Sequence, residues 1–181
     1  MKQPLISNNY MRKVFQQLFL VATLLGFTTA LVAQDDTERN LLSQRQSLNP
    51  SSNTVTLFQA GLTNEAYIQQ INSSNALEAT QLGQANFIKL QQTGYNNSFG
   101  ILQLGSGNEY IGNVDGDNAL NNIFQVGFDN TINQSIYMNN SEMFILQDGS
   151  RNEIIQSGDF QSTGIKIHQQ GNGMRLILKT N

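Results

Sequence analysis

From Asn53 onward, apolar and polar residues alternate over stretches of seven, break at a short segment that usually holds glycine, and then resume, with the whole pattern returning every 11 residues. Steps of 11 give Asn53, Asn64, Asn75, Asn86, Asn97 and Asn108, then Ala119 (with Asn118 one residue early), Asn130, Ser141, Asn152, Thr163 and Met174. Six residues after a repeat start stands Gln59, Gln70, Gln81, Gln92, Gln103, Gln125, Gln147 or Gln169, with Val114, Ile136, Gly158 and Thr180 as the exceptions. Two further on stands Gly61, Gly83, Gly94, Gly105, Gly116, Gly127, Gly149 or Gly171. The second and fourth positions are aliphatic or aromatic, as at Leu77, Ile88, Phe99, Leu57, Ile68 and Leu90. Alternation with period two followed by a glycine turn predicts a strand, and twelve such strands joined by short turns leave no room for helices.

Charge placement tests that register independently. All fifteen charged residues after Asn53 avoid the repeat start and its second, fourth, sixth and eighth successors. Indifferent placement would give this roughly one time in ten thousand, so one face of every strand is closed to charge and must be interior. An odd period swaps the faces of a continuous strand, so the segment from each Gly to the next Asn has to turn the chain and reset its parity. Each 22 residues then form one strand-turn-strand-turn coil. Stacked at the ~4.8 Å inter-strand spacing, such coils place Asn over Asn and Gln over Gln, where each side-chain amide donates to and accepts from its copy in the next layer. Glu or Lys in those positions would stack like charges in a dry core. The fold expected over 53–181 is an all-β, parallel β-solenoid of about six coils, roughly 29 Å along its axis. The first coil carries the interior pattern (Val55, Leu57, Gln59, Gly61 and Ile68), which makes the end a template for another copy.

Composition adds an N-terminal division and a compartment. Lys2, Arg12 and Lys13 precede an apolar run, Leu18 to Ala33, ending in Leu-Val-Ala before Gln34. This is the layout of a secretory signal peptide over 1–33; the run falls short of the ~20 residues of a membrane span and is diluted by Thr23, Thr28 and Thr29. Residues 34–52 hold five charges, Pro50 and no usable period, and read as a disordered leader. With no cysteine in the chain, an exported protein has to rely on backbone pairing and packing rather than disulfides.

The unit Ser/Asn, five residues, Gln, four residues, Asn, five residues, Gln, repeated in phase over 53–181, resembles the curlin repeat, and the chain is similar to the curlin family, the subunits of curli, the amyloid fibres of bacterial biofilms. The resemblance implies a secreted amyloid subunit with no enzymatic activity and no cofactor. Its implied partners are itself and other curlin subunits, a secretion pore with its accessory factors, and the cell surface. The 34–52 leader is, by the same resemblance, the secretion-targeting segment. Curlins include a major fibre-building subunit and a minor nucleator. The ladder residues Asn53 to Gln169 named above are the candidate self-assembly residues. Around Gln134, Ile136 and Met138, and again at Gln156, Gly158 and Phe160, the pattern departs from its ideal. Late basic residues, Lys166, Arg175 and Lys179, with no acid after Asp159, are candidate surface-attachment residues and favour the nucleator slightly, although 122–130 and 139–147 look equally like major-subunit repeats.

Other chemistry is sparse. Asn113 to Asn118, NVDGDN, has the look of a calcium loop, but its twelfth position is Phe124 rather than Glu, and a bulged turn absorbing Asn118 is the simpler expectation. His168 is the only histidine and falls on an outward position, so neither a His-based triad nor a metal site is expected. No phosphate loop and no basic-aromatic patch for nucleic acid is present. Two other classes compete with a fibre subunit. A solenoid adhesin or ice-binding surface would want Thr-x-Thr arrays, of which only Thr54 and Thr56 form one; a polysaccharide-cleaving solenoid would want clustered outward charges, and these are scattered.

Overall fold

The computed structural model describes residues 53–180; the signal-peptide and leader expectations lie outside the described residues. Twelve strands follow one another: β1 (Thr54–Leu62), β2 (Glu65–Ile71), β3 (Ala76–Gln84), β4 (Phe87–Thr93), β5 (Ser98–Ser106), β6 (Glu109–Asp115), β7 (Leu120–Phe128), β8 (Thr131–Asn139), β9 (Glu142–Ser150), β10 (Glu153–Gln161), β11 (Gly164–Asn172) and β12 (Arg175–Lys179). Odd strands form one six-stranded sheet and even strands another. Every pairing is parallel and steps by 22 residues, from Thr54 opposite Ala76 at one end to Glu153 opposite Arg175 at the other. The architecture is therefore a β-solenoid of six coils, with sheet A (β1, β3, β5, β7, β9, β11) facing sheet B (β2, β4, β6, β8, β10, β12) across one core.

That core is filled by the alternate positions marked in the sequence. Leu77, Ile88, Leu90, Phe99, Ile101, Tyr110, Ile123, Ile132, Ile145 and Ile154 are buried between the sheets. Interleaved with them, and equally buried, are Gln81, Gln103, Gln125 and Gln147 from sheet A and Gln92 from sheet B. Among the described residues no charged side chain is buried, and the buried polar side chains are neutral, most of them amides.

The corners have a second periodic feature that the glycine pattern alone does not convey. The residue just before each repeat start is left-handed throughout: Thr63, Ser74, Ala85, Asn96, Gly107, Asn118, Asp129, Asn140, Arg151, Ser162 and Gly173 have φ between 50° and 66°. Two of the eleven are glycine. Asn, Asp and Ser tolerate this conformation through local side-chain hydrogen bonds, whereas Thr63, Ala85 and Arg151 carry a Cβ penalty of about 1 kcal/mol each. Replacing Ala85 by Gly is accordingly expected to raise unfolding stability by about 0.5–1 kcal/mol, read as a higher urea midpoint at unchanged slope.

Asn118 belongs to this left-handed series and needs no bulge, in contrast to the turn expected from its early position. It lies in register with Asn96 and Asn140, and the three exposed amides make a short external ladder, Asn96 Nδ2 to Asn118 Oδ1 at 2.8 Å and Asn118 Nδ2 to Asn140 Oδ1 at 3.2 Å. Ala119 is in the repeat-start position, buried.

Candidate functional site: amide ladders and end coils

Turning the chain at each corner leaves two backbone groups without a strand partner: the N–H of the repeat-start residue and the carbonyl of the corner glycine. The repeat-start asparagine of the preceding coil serves both. Asn64 Oδ1 accepts from the N–H of Asn86 at 3.1 Å while its Nδ2 donates to Gly83 O at 3.1 Å. The same two bonds recur at Asn75 with Asn97 and Gly94, at Asn108 with Asn130 and Gly127, and at Asn152 with Met174 and Gly171. The asparagine is thus a clamp on the next coil's backbone. The expected amide-to-amide stacking of asparagines occurs as an additional contact, as from Asn108 Nδ2 to Asn86 Oδ1 at 3.1 Å, because the corner's orphan groups take the amide first. Asn53, at the start of the first coil, accepts from the N–H of Asn75.

Glutamines stack as the sequence suggests, but only sheet A has an unbroken row. Gln59, Gln81, Gln103, Gln125, Gln147 and Gln169 are joined Nε2 to Oε1 at 2.5, 2.8, 2.8, 3.0 and 2.9 Å. The row has a direction. Each inner Nε2 also donates across the core to a backbone carbonyl at the start of a sheet B strand, for example Gln103 to Phe87 O and Asn108 O, and Gln125 to Glu109 O and Asn130 O. A carbonyl only accepts, so reversing an amide would set oxygen against oxygen. Donors therefore all point toward the C-terminal coil, leaving an acceptor at Gln59 and a donor at Gln169.

In sheet B the row is rewired. Gln70 donates to Gln92 at 3.0 Å, but Val114 follows, and Gln92 Nε2 is buried without a partner. The apparent breaks in β8 and β10 are coordinated: the amide moves two residues earlier, to Gln134 and Gln156, which pair at 2.6 Å, while Ile136, Met138 and Phe160 fill the vacated inner positions and are buried. Tyr110 leans over Gly112, whose missing side chain makes room, and its hydroxyl donates to Gln134 Oε1 at 2.7 Å; Asn121 from sheet A donates to the same oxygen at 3.0 Å. Burial pushes the Tyr110 phenol well above its usual range, so it stays a neutral donor. The solenoid continues in register through these coils, so the departures of the second half cost it no layer.

Ala119 is the one interior repeat start without a polar side chain, although its N–H still receives the clamp from Asn97 at 2.9 Å. Substituting Ala119→Asn would supply an amide to the N–H of Ser141, and a gain of about 1 kcal/mol is expected in chemical denaturation.

The repeat glycines fall at corners, and all but Gly171, in the last coil, nearly touch a backbone carbonyl of the next coil. Gly61, Gly83, Gly105, Gly127, Gly149 and Gly171 line one edge of sheet A, Gly94 and Gly116 one edge of sheet B, all with positive φ. The three late basic residues share the last coil but not a face: Lys166 points outward from sheet A, whereas Arg175 and Lys179 point outward from sheet B. Arg175 is engaged by Glu153 at 2.8 Å. His168 is exposed, and among the described residues no cluster of metal-ligating side chains forms, at NVDGDN or elsewhere; there Asp117 accepts from the backbone N–H of Tyr95.

At the two ends β1 and β2, and β11 and β12, each pair along one edge only. The inner residues of these coils, Leu57, Ala66 and Ile68 at one end and Ile165, Ile167, Leu176 and Leu178 at the other, are half-buried against the core. Compared with models of known protein families and with curated proteins, the chain finds no match.

Proposed function

We propose that the chain is a self-assembling structural subunit of a curli-type extracellular amyloid fibre, acting in adhesion and biofilm matrix on the bacterial surface. The observation that carries this reading is that the sheet A rows run through to both end coils: Gln59 and Gly61 at one end lie on the same rows as Gln169 and Gly171 at the other, with an amide acceptor at the first and a donor at the last. Unpaired strand edges with a matching interior pattern favour addition of a further copy. Secretion through a dedicated pore with accessory factors, and attachment to the cell surface, belong to the same proposal and rest on the curlin resemblance. Within it, the minor, nucleating role fits better than the major one, because both repeat starts of the last coil, Thr163 and Met174, lack the asparagine clamp, whereas every earlier coil keeps at least one.

A thioflavin-fluorescence time course on freshly desalted protein tests the reading. Growth after a lag that preformed fibres abolish is expected; a persistent folded monomer would favour a solenoid adhesin instead.

A further inference from the structure

Resting on the fibre reading, we propose that Arg175 of one copy and Glu65 of the next form the ion pair that sets the polarity and pairing of stacked copies. Each residue in the solenoid lies over the residue 22 positions later. Continuing that step past β12 brings β2 of a second copy onto it, with Glu65 above Arg175. The outward column containing both reads Glu65, Phe87, Glu109, Thr131, Glu153, Arg175 from coil to coil. Acids alternate with neutral residues until the last layer, where Arg175 meets Glu153 at 2.8 Å. A second copy in the same register would complete a Glu153–Arg175–Glu65 stack with no like charges adjacent. The Arg175 side chain is 60% exposed, and a guanidinium has five donors, enough to hold a carboxylate on each side.

Other groups at that seam agree on direction. Ile167 would lie under Leu57 and Leu178 under Ile68, and the second N–H of Gln169, whose Nε2 already donates to Glu153 O, would meet Oε1 of Gln59. Two copies joined by their first coils would instead bring their strands together antiparallel and lose the like-on-like register. The seam also lacks a bond that inner coils have: Met174 stands where an asparagine would serve the N–H of Asn64 and the carbonyl of Gly61 in the incoming copy. Charge pairing one residue further on takes over the selection of partner there.

The test compares fibre elongation for Glu65→Arg, Arg175→Glu, their equimolar mixture and the double variant, each grown from seeds of its own composition. Each single variant alone is expected to elongate about tenfold more slowly than wild type at low salt, since every seam repels. The mixture and the double variant are both expected to recover, because alternating copies, or the swapped pair, put opposite charges at each seam. Arg175→Gln, which does not repel Glu153, guards against local misfolding of the last coil and is expected to be intermediate. Single variants growing like wild type, or a mixture no faster than its components, would overturn the ion pair while leaving the fibre reading standing. Wild-type protein that never forms fibres would overturn both.

Discussion

Replacing Gln103 by Glu is expected to destabilise the solenoid by roughly 4 kcal/mol or more at pH 7, and much less below pH 4. The side chain is buried; its Oε1 accepts from Gln81, and its Nε2 donates to Gln125 Oε1, Phe87 O and Asn108 O. Exchanging that nitrogen for oxygen points an acceptor at three acceptors. Burial and those oxygens disfavour the ionised acid, so its pKa in the folded state rises above the ~4.3 of an unfolded glutamate. A raised carboxyl pKa means the folded state binds the proton more tightly than the unfolded one. Stability is then retained below about pH 4.3 and lost as pH climbs toward the folded value. Gln103→Leu removes the same bonds without introducing charge and is expected to cost about 2–3 kcal/mol with little dependence on pH. Urea melts of both variants at pH 4 and pH 7 separate the two; parallel pH profiles would mean the row is not a closed, dry ladder.

Gly105→Ala is expected to cost at least about 3 kcal/mol, enough to unfold a marginal coil stack. Two penalties coincide at this corner. The backbone has φ 115°, a region L side chains rarely enter, and an added Cβ would lie 2.0 Å from the carbonyl oxygen of Gly127 in the next coil. Neither can relax alone, because Gly127 O also accepts from Asn108 Nδ2 and is fixed by it. Gly164→Ala is the control: nothing lies within 4 Å of its added Cβ, so a near-neutral change is expected. Far-UV circular dichroism melts of the two variants side by side would measure the difference.

Much of this architecture is legible in the residues, and the reason is the double constraint of period and burial. Leu77, Gln81 and Gly83 recur as Phe99, Gln103 and Gly105 because parallel in-register stacking puts like on like, so each coil repeats the demands of its neighbour. Charged residues are excluded from the same positions by the dry core. What the pattern does not reveal is which backbone groups the corners orphan, and so the role of Asn as a clamp rather than chiefly a ladder residue emerges only with the geometry of Asn64, Gly83 and Asn86. The left-handed residue before each start was open to inference from Asn96, Gly107, Asn118, Asp129 and Asn140, yet Thr63 and Arg151 obscure it. Gln134 and Gln156 look like decay when each strand is read alone. Paired with each other and with Tyr110 and Asn121, they form a relocated polar network, visible only once β6, β7, β8 and β10 are set in space.

The candidate site is less legible than the fold, because a surface proposed for assembly has no chemistry of its own apart from its match to a second copy. Lys166, Arg175 and Lys179 suggest a basic patch in one dimension and separate onto two faces in three. Glu65, an unremarkable outward acid in the sequence, acquires meaning only under the proposed stacking, in which the register would set it opposite Arg175 of another copy.

Fibre diffraction combined with mass per unit length tests the central claim most directly, that copies stack end to end in the solenoid's own register. The account requires a meridional spacing of ~4.8 Å together with one chain per six layers, about 29 Å of fibre. One chain per ~4.8 Å layer, the signature of flat in-register strands from many copies, or the absence of any ordered fibre, would contradict it.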